Sequence, residues 1–226
     1  MKNVRVPNFA AGAFDACARA RLNAPRLEAD TAAEEGAMDV PSIKGSIFEG
    51  LLADVNQAVA EGRADLGELR DVLDDEELDL LDGKVSSVQW VPIRAYASFL
   101  EYLARVEGAA DRQRYLRQRG ARACDRLLDG IYKAYRVEPG AWGRRTGEIM
   151  MGMGKLLYNF TSWSFREVGE GIYEITCEDA AAFPDCAVDT AHGFIERYAE
   201  SAAGHAIRVR SERRGAGTIV FTVQSR

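Results

Sequence analysis

Two cysteines and a glutamate lie close together in the stretch Glu174-x2-Cys177-x8-Cys186, and such side chains can bind zinc. A structural zinc site needs four nitrogen, oxygen or sulfur ligands, so His192 or Glu178 would have to complete the set. The spacing differs from the short Cys-x2–4-Cys knuckles of such sites. We therefore interpret the cysteines as small structural side chains at a strand end and in a loop, and we expect no metal here.

The two histidines of the chain, His192 and His205, lie near opposite ends of one predicted helix. This placement shows no sign of the base that activates a serine or cysteine nucleophile. A haem ligand would face a large apolar cavity, whereas we predict a surface or capping role for His192. The glycine-rich stretch 147–154 is followed by Lys155-Leu156, without the Ser or Thr that a phosphate loop requires after its lysine. The sequence thus predicts no catalytic residues, no cofactor and no enzyme.

A run of aromatic and methionine side chains carries the candidate ligand site. Such runs are more often core, but methionine also suits adaptable binding surfaces, and the glycines among them allow close approach of another surface. We expect an apolar pocket between a helix over 143–158 and the hairpin after it. Its candidate lining residues are Trp142, Met150, Met153, Leu157, Phe160, Trp163 and Phe165. Because alternate strand residues point to opposite faces, Trp163 and Phe165 share a face that Phe160 does not.

The charge of the chain is unevenly distributed around a net value of −6. An acidic balance argues against nucleic acid as a partner, because phosphate contacts need clustered cations. Residues 61–82 hold ten acidic residues against two arginines, and residues 111–126 hold six arginines against two aspartates. These segments are either two solvated helix faces or an electrostatic contact within or between protomers. We predict a homodimer in which they meet.

The apolar stretches are too short for export or membrane insertion. The first residues lack the apolar core of 7–15 residues that a signal peptide needs. No stretch approaches the 18 apolar residues of a spanning helix. We therefore expect a cytoplasmic protein without a membrane span, with its four scattered cysteines reduced.

Hydrophobic periodicity predicts helices in the first part of the chain. Residues 1–42 are interrupted by prolines and are interpreted as an N-terminal extension, followed by a single domain over 43–226. A helix with apolar positions three and four apart begins near Ser46, which could form a capping box with Glu49. A longer helix is expected from about residue 111 to 135, with Ile131 on its buried side.

The period changes from 3.6 to two after residue 160, which predicts strands. We expect strands near 160–167, 171–177, 206–212 and 218–224, with a helix over 189–203 between the two hairpins. Helices followed by strand-strand-helix-strand-strand indicate an α+β fold with an antiparallel sheet of four or more strands.

Two parts of the sequence resemble known families. The helix Gly193–Ile207 and the following Val209–Val223 resemble the four-vinyl-reductase domain superfamily, which is related in fold to haem NO-binding sensors and to the TRAPP vesicle-tethering subunits. The stretches Lys44–Leu52 and Trp90–Leu103 resemble an uncharacterised bacterial family that shares this tail. Zinc-bearing members of the superfamily have Glu-x-x-Cys and a second cysteine in the last hairpin, whereas Glu212–Phe221 has no cysteine here.

The resemblance and the apolar cluster together favour a non-enzymatic module. We expect a small-molecule-binding or sensory and signalling domain of vinyl-reductase-like fold, which binds a small apolar molecule or a protein partner. The alternative is a protein–protein interaction or scaffold protein without any small-molecule ligand. A cavity beside the aromatic cluster would favour the first function, and a solid core with an exposed apolar patch would favour the second.

Overall fold

A computed structural model describes residues 40–108 and 110–225 of the chain. The predicted extension over 1–42 lies almost wholly outside the described residues, so the boundary between it and the domain stays a prediction. Within the described part, no helix is long and apolar enough to cross a lipid bilayer.

The first layer is helical and begins with a short antiparallel pair, β1 (Ser42–Lys44) and β2 (Trp90–Pro92). Helix α1 (Gly45–Ala60) follows β1 directly, and the predicted capping box at Ser46 is wrong. The backbone amides of Gly45 and Ser46 instead donate to the carbonyls of Gln89 and Ser87, so backbone groups replace the side-chain cap.

Two short helices with aspartate caps complete the edge of this layer. Helix α2 (Leu66–Val72) is capped by Asp65, and α3 (Asp75–Asp82) has a full capping box between Asp74 and Glu77. Residue Arg94 pairs with Asp74, which ties α3 to the helix that follows β2.

Two longer helices, α4 (Ile93–Glu107) and α5 (Arg112–Asp129), form the centre of the domain. The predicted helix to residue 135 ends at Asp129, and the chain continues through a short 3-10 turn, Lys133–Tyr135. Ile131 therefore lies between these elements and is 64% exposed, contrary to its predicted buried position. The helical period no longer applies once the helix has ended.

The second layer is the antiparallel sheet that the period of two predicts. Helix α6 (Arg144–Leu157) leads into β3 (Ser162–Gly169) and β4 (Ile172–Glu178), and α7 (Asp185–Ala203) into β5 (Ile207–Arg213) and β6 (Ile219–Ser225). The strand order is β3-β4-β6-β5 with every pair antiparallel, which confirms the α+β fold. Helix α7 begins four residues earlier than predicted, after Pro184.

One face of the sheet is apolar and packs against the helices. Ile175, Val209, Phe221 and their same-face neighbours are buried, whereas the alternating positions on the other face are mostly polar. Helix α6 packs on β3 and α7 on β5, so both helices cover the apolar face. The candidate site lies where these helices meet α1, α4 and α5.

Candidate functional site

A small cavity lies among helices α1, α4, α5, α6 and α7 and the start of β3, with a volume of about 50 Å³. Four of the seven predicted pocket residues border it: Met150, Met153, Leu157 and Trp163. Residues outside that set of seven complete the lining: Ile47, Tyr96, Gly120, Ala123, Met151, Gly154, Tyr158, Thr190, Ala191, Phe194 and Ile195. These additional residues come mostly from α5 and α7, which the sequence does not link to the methionine run.

The glycines of α6 allow strand β3 to pack directly against the helix. A Cβ atom at Gly147 would lie 2.3 Å from the Phe165 ring, and one at Gly154 would lie 3.1 Å from the Trp163 ring. The glycines predicted that another surface would approach this helix closely, and that surface is the first hairpin of the same chain. Trp163 reaches the cavity because Gly154 carries no side chain.

Trp163 is held in place by an aromatic cluster. Its indole Nε1 donates to Thr161 Oγ1 at 2.8 Å, and its ring stacks on Phe221 at 6.1 Å between centroids. Phe160, which precedes β3, contacts Tyr158 and Phe183 and does not border the cavity. The indole therefore has a fixed orientation at the cavity wall.

The two remaining predicted residues, Trp142 and Phe165, belong to a second aromatic cluster. Their rings meet edge to face at 6.0 Å, and Phe165 also stacks on Tyr173. Neither residue borders the cavity. The shared strand face of Trp163 and Phe165 thus contributes to two separate clusters along α6.

Two tyrosines and a threonine provide the hydroxyl groups of the cavity wall. Burial raises the pKa of Tyr96 to about 12, and desolvation also raises the pKa of Tyr158 well above its ordinary value. Both phenols are therefore neutral at physiological pH. The Thr190 hydroxyl donates to the Cys186 carbonyl at 2.6 Å.

A second, smaller chamber of about 20 Å³ adjoins the cavity and shares Ile47, Tyr96, Ala123 and Thr190 with it. Arg119 forms part of its wall and is only 6% exposed, although it belongs to the basic segment that suggests a solvated face. The Arg119 Nη1 atom donates to Asp54 Oδ2 at 2.5 Å, and Arg126 donates to the same carboxylate. No sequence period indicates this arginine as buried, because its partner lies on another helix.

The histidines of the chain do not fit haem. His192 is 1% exposed, so its predicted surface role is wrong: α7 packs it against the sheet, where Nδ1 lies 3.0 Å from Ser211 Oγ. Burial, aided by Arg117, lowers the pKa of His192 to about 4. His205 bonds to Ser225, and neither histidine borders the cavity.

The other wall groups of the cavity do not provide a haem site either. Methionine ligates haem iron alongside histidine, and a tyrosine ligand is a phenolate, which the raised pKa of Tyr96 disfavours. The cavity volume is also far below the roughly 300–1,000 Å³ of sites for drug-sized molecules.

The suggested zinc ligands point in different directions. Glu174 and Cys177 are three residues apart on β4, so their side chains lie on opposite faces of the sheet. Glu174 pairs with Arg166 and Arg214, and burial raises the pKa of the Cys177 and Cys186 thiols to about 12. Among the described residues, no group of His, Cys, Asp and Glu side chains is arranged to hold a metal ion.

Comparison with known proteins relates the chain to others through fold alone. No family model matches the sequence, and no curated protein matches it. An Fe(II) unliganded H-NOX protein from K. algicida is similar in structure, with a TM-score of 0.57, 10% identity and coverage of 81% of this chain and 97% of that one. A variant of that protein has a TM-score of 0.59 at 11% identity over the same shares. An oxygen-binding H-NOX domain related to soluble guanylate cyclases has a TM-score of 0.51, 14% identity and coverage of 80% and 93%.

These structural neighbours support the related fold that the sequence resemblance implies. H-NOX domains are haem NO-binding sensors, and this chain has their α+β architecture. At identities of 10–14% the likeness concerns the fold, and the cavity must be interpreted from its own residues.

Proposed function

We propose that this protein is a non-enzymatic sensory or ligand-binding domain of vinyl-reductase-like fold that binds a small, largely apolar molecule in the cavity beside Met153 and Trp163. The observation that carries the proposal is the cavity itself, which is bordered by five helices and the start of β3. Natural cores leave few voids larger than a water molecule, so an apolar space of about 50 Å³ at a helix–sheet junction is a candidate binding site.

The composition of the wall supports binding more than passive packing. Three methionines border the cavity, and their unbranched side chains can rearrange around guests of different shape. The indole ring of Trp163, fixed by its aromatic neighbours, provides a flat contact surface in the same lining. Ala123 and Phe194, which also border the cavity, are only partly buried, so the cavity lies close to the protein surface.

None of the described residues that line the cavity fits a haem ligand, which separates this proposal from the function of the structural neighbours. A domain with an H-NOX-like fold and a small cavity would sense a ligand through a change in packing between α6 and β3. The Trp163 ring packs so closely on α6 that a Cβ atom at Gly154 would lie 3.1 Å from it, so a guest that displaces the ring would change its packing on the helix.

The test uses xenon as an apolar probe, because dry cavities lined by apolar side chains bind it. We expect the methyl NMR signals of Met150 and Met153 to shift with xenon pressure in the unmodified protein. The variant Ala123→Leu fills the cavity from α5 and should abolish those shifts. Ala121→Leu, on the same helix but outside the cavity, is the matched control and should retain them.

Two results would count against the proposal. Methionine shifts of equal size in both leucine variants would place xenon elsewhere. A complete lack of response in the unmodified protein, together with a folded spectrum, would favour the alternative of an interaction or scaffold protein with a filled core.

A further inference from the structure

The smaller chamber beside the cavity contains two buried polar atoms without a partner. Arg119 Nε and Ser46 Oγ are shielded from solvent and form no hydrogen bond, and both residues line the chamber. A buried donor without a partner costs roughly 1–3 kcal/mol, so natural proteins rarely keep one without a compensating group. Two such atoms at one small chamber indicate a missing acceptor.

The charge around the chamber is positive. Arg119 and Arg126 both bond to Asp54, so three ionised groups leave one net positive charge. The Asp54 carboxylate is already engaged by the two guanidinium groups, and Arg126 also donates to the Gly50 carbonyl at 2.7 Å. The Arg119 Nε–H therefore has no further acceptor from these neighbours.

The phenol of Tyr96 lies within reach of the same two arginine charges. Burial raises the pKa of Tyr96, while the nearby charges of Arg119 and Arg126 act in the opposite direction. Tyr96 also borders both chambers, so the two chambers share this side chain as a common wall. The chamber thus favours a negatively charged or strongly accepting group.

We propose that the two chambers form one bipartite site for a small amphiphilic monocarboxylate, whose apolar part occupies the methionine-lined cavity and whose carboxylate accepts hydrogen bonds from Arg119 Nε and Ser46 Oγ. This inference rests on the proposed function, because it assigns the ligand class of the same cavity. A carboxylate matches the two orphaned donors with its two oxygens. Its volume also suits a chamber of about 20 Å³ better than that of a tetrahedral phosphate or sulfate.

An ordered water molecule is the competing occupant of the chamber. A space of this size can hold one water, which would satisfy both orphaned atoms. The two cases differ in one measurable respect. A water-filled chamber gives no preference for an anionic head group, whereas a carboxylate subsite binds an acid more tightly than the corresponding alcohol.

The experiment compares butyrate with 1-butanol at neutral pH, with affinities taken from the methyl NMR shifts of Met150 and Met153. We expect butyrate to bind about 10- to 100-fold more tightly than butanol, as charge-assisted hydrogen bonds imply. Ser46→Ala removes a hydroxyl that has no partner in the protein, so it should leave the fold intact and reduce butyrate affinity alone. Arg119→Lys keeps the charge but removes Nε, and it should reduce the preference for butyrate in the same way.

Arg117→Lys is the matched control. Arg117 lies on the same helix and also has a buried Nε without a hydrogen bond, although Asp189 Oδ1 lies 4.0 Å from it, and it borders neither chamber. The butyrate preference should survive this change. If it falls as much as in Arg119→Lys, the effect is a general one of α5 and the subsite is refuted.

The remaining outcomes separate the two proposals. Equal affinities for butyrate and butanol would refute the carboxylate subsite and leave the apolar cavity standing. If xenon shifts the methionine signals but neither butyrate nor butanol binds, the carboxylate subsite is likewise refuted and the apolar cavity stands. A lack of response to all three probes would overturn the proposed function together with this inference.

Discussion

The crossing of α5 and α7 provides the sharpest test of the fold, because two glycines bring the helix backbones into direct contact. A Cβ atom at Gly120 would lie 1.8 Å from the Thr190 carbonyl oxygen, and one at Gly193 would lie 1.9 Å from that of Arg117. We expect Gly120→Ala to destabilise the protein, because the obstacle is backbone that cannot rotate away.

The magnitude follows from two opposing effects. An alanine methyl at residue 120 needs at least 3.4 Å to the Thr190 oxygen, so the helices must separate or deform. Overpacking of this kind costs about 3 kcal/mol, at the upper end of its usual range. Replacing a helical glycine by alanine otherwise gains about 1 kcal/mol. The net loss is therefore about 2 kcal/mol, which lowers Tm by roughly 4–8 °C in a chain of this length.

The assay is thermal and urea denaturation followed by circular dichroism, with Gly152→Ala as the control. Gly152 lies within α6, where an added Cβ would come no closer than 3.9 Å to another residue. The control should therefore stabilise the protein by about 1 kcal/mol, the helix-propensity gain alone. If Gly120→Ala were as stable as Gly152→Ala, the close helix crossing would be wrong, and with it the part of the cavity wall that Gly120 and Thr190 form.

Three further predictions concern titration, reactivity and assembly. The pKa of His192 is about 4 in the folded protein and near 6.5 in the unfolded chain, so the unfolded state binds the proton first as the pH falls. The free energy of unfolding should therefore decrease as the pH is lowered from about 6.5 to about 4. Urea denaturation midpoints should show this decrease, and the variant His192→Gln should lack it. Burial raises the pKa of Cys124 and Cys177 to about 12, so mass spectrometry should find both thiols unlabelled by iodoacetamide at pH 8 until the protein is denatured. The homodimer through segments 61–82 and 111–126 stays a prediction. Light scattering should show a dimer whose association weakens between about 0.1 and 1 M salt, because salt screens the charges of the two segments. A monomer at low salt would contradict the prediction.

The ion pairs of the two charged segments bear on where such a dimer could form. Within the chain, Arg112 pairs with Glu101, and both Arg119 and Arg126 pair with Asp54. Neither Glu101 nor Asp54 belongs to the acidic segment 61–82. Arg94, outside the basic segment, pairs with Asp74. The sequence contains two blocks of opposite charge, but part of each block is already paired elsewhere within the protomer.

The local order of elements was predictable from the sequence. The change of period near residue 160 predicted both hairpins, and the strand bounds differ from the observed ones by only a few residues. The methionines of α6 and Trp163 could be proposed as one wall of a site because they are close in the chain. Periodicity and turn chemistry act over a few residues, so they can be read without knowledge of the fold.

The other wall of the site was decided only by tertiary packing. Gly120 and Gly193 appear in the sequence as ordinary helical glycines, and Arg119 appears as one cation of a charged run. Their roles depend on which helix lies opposite them, and that partner is distant in the chain. His192 shows the same effect, because its burial depends on Ser211 in a strand that follows the helix. Pairings between distant segments depend on the total free energy of packing, and the local pattern of hydrophobic residues does not specify which surfaces meet.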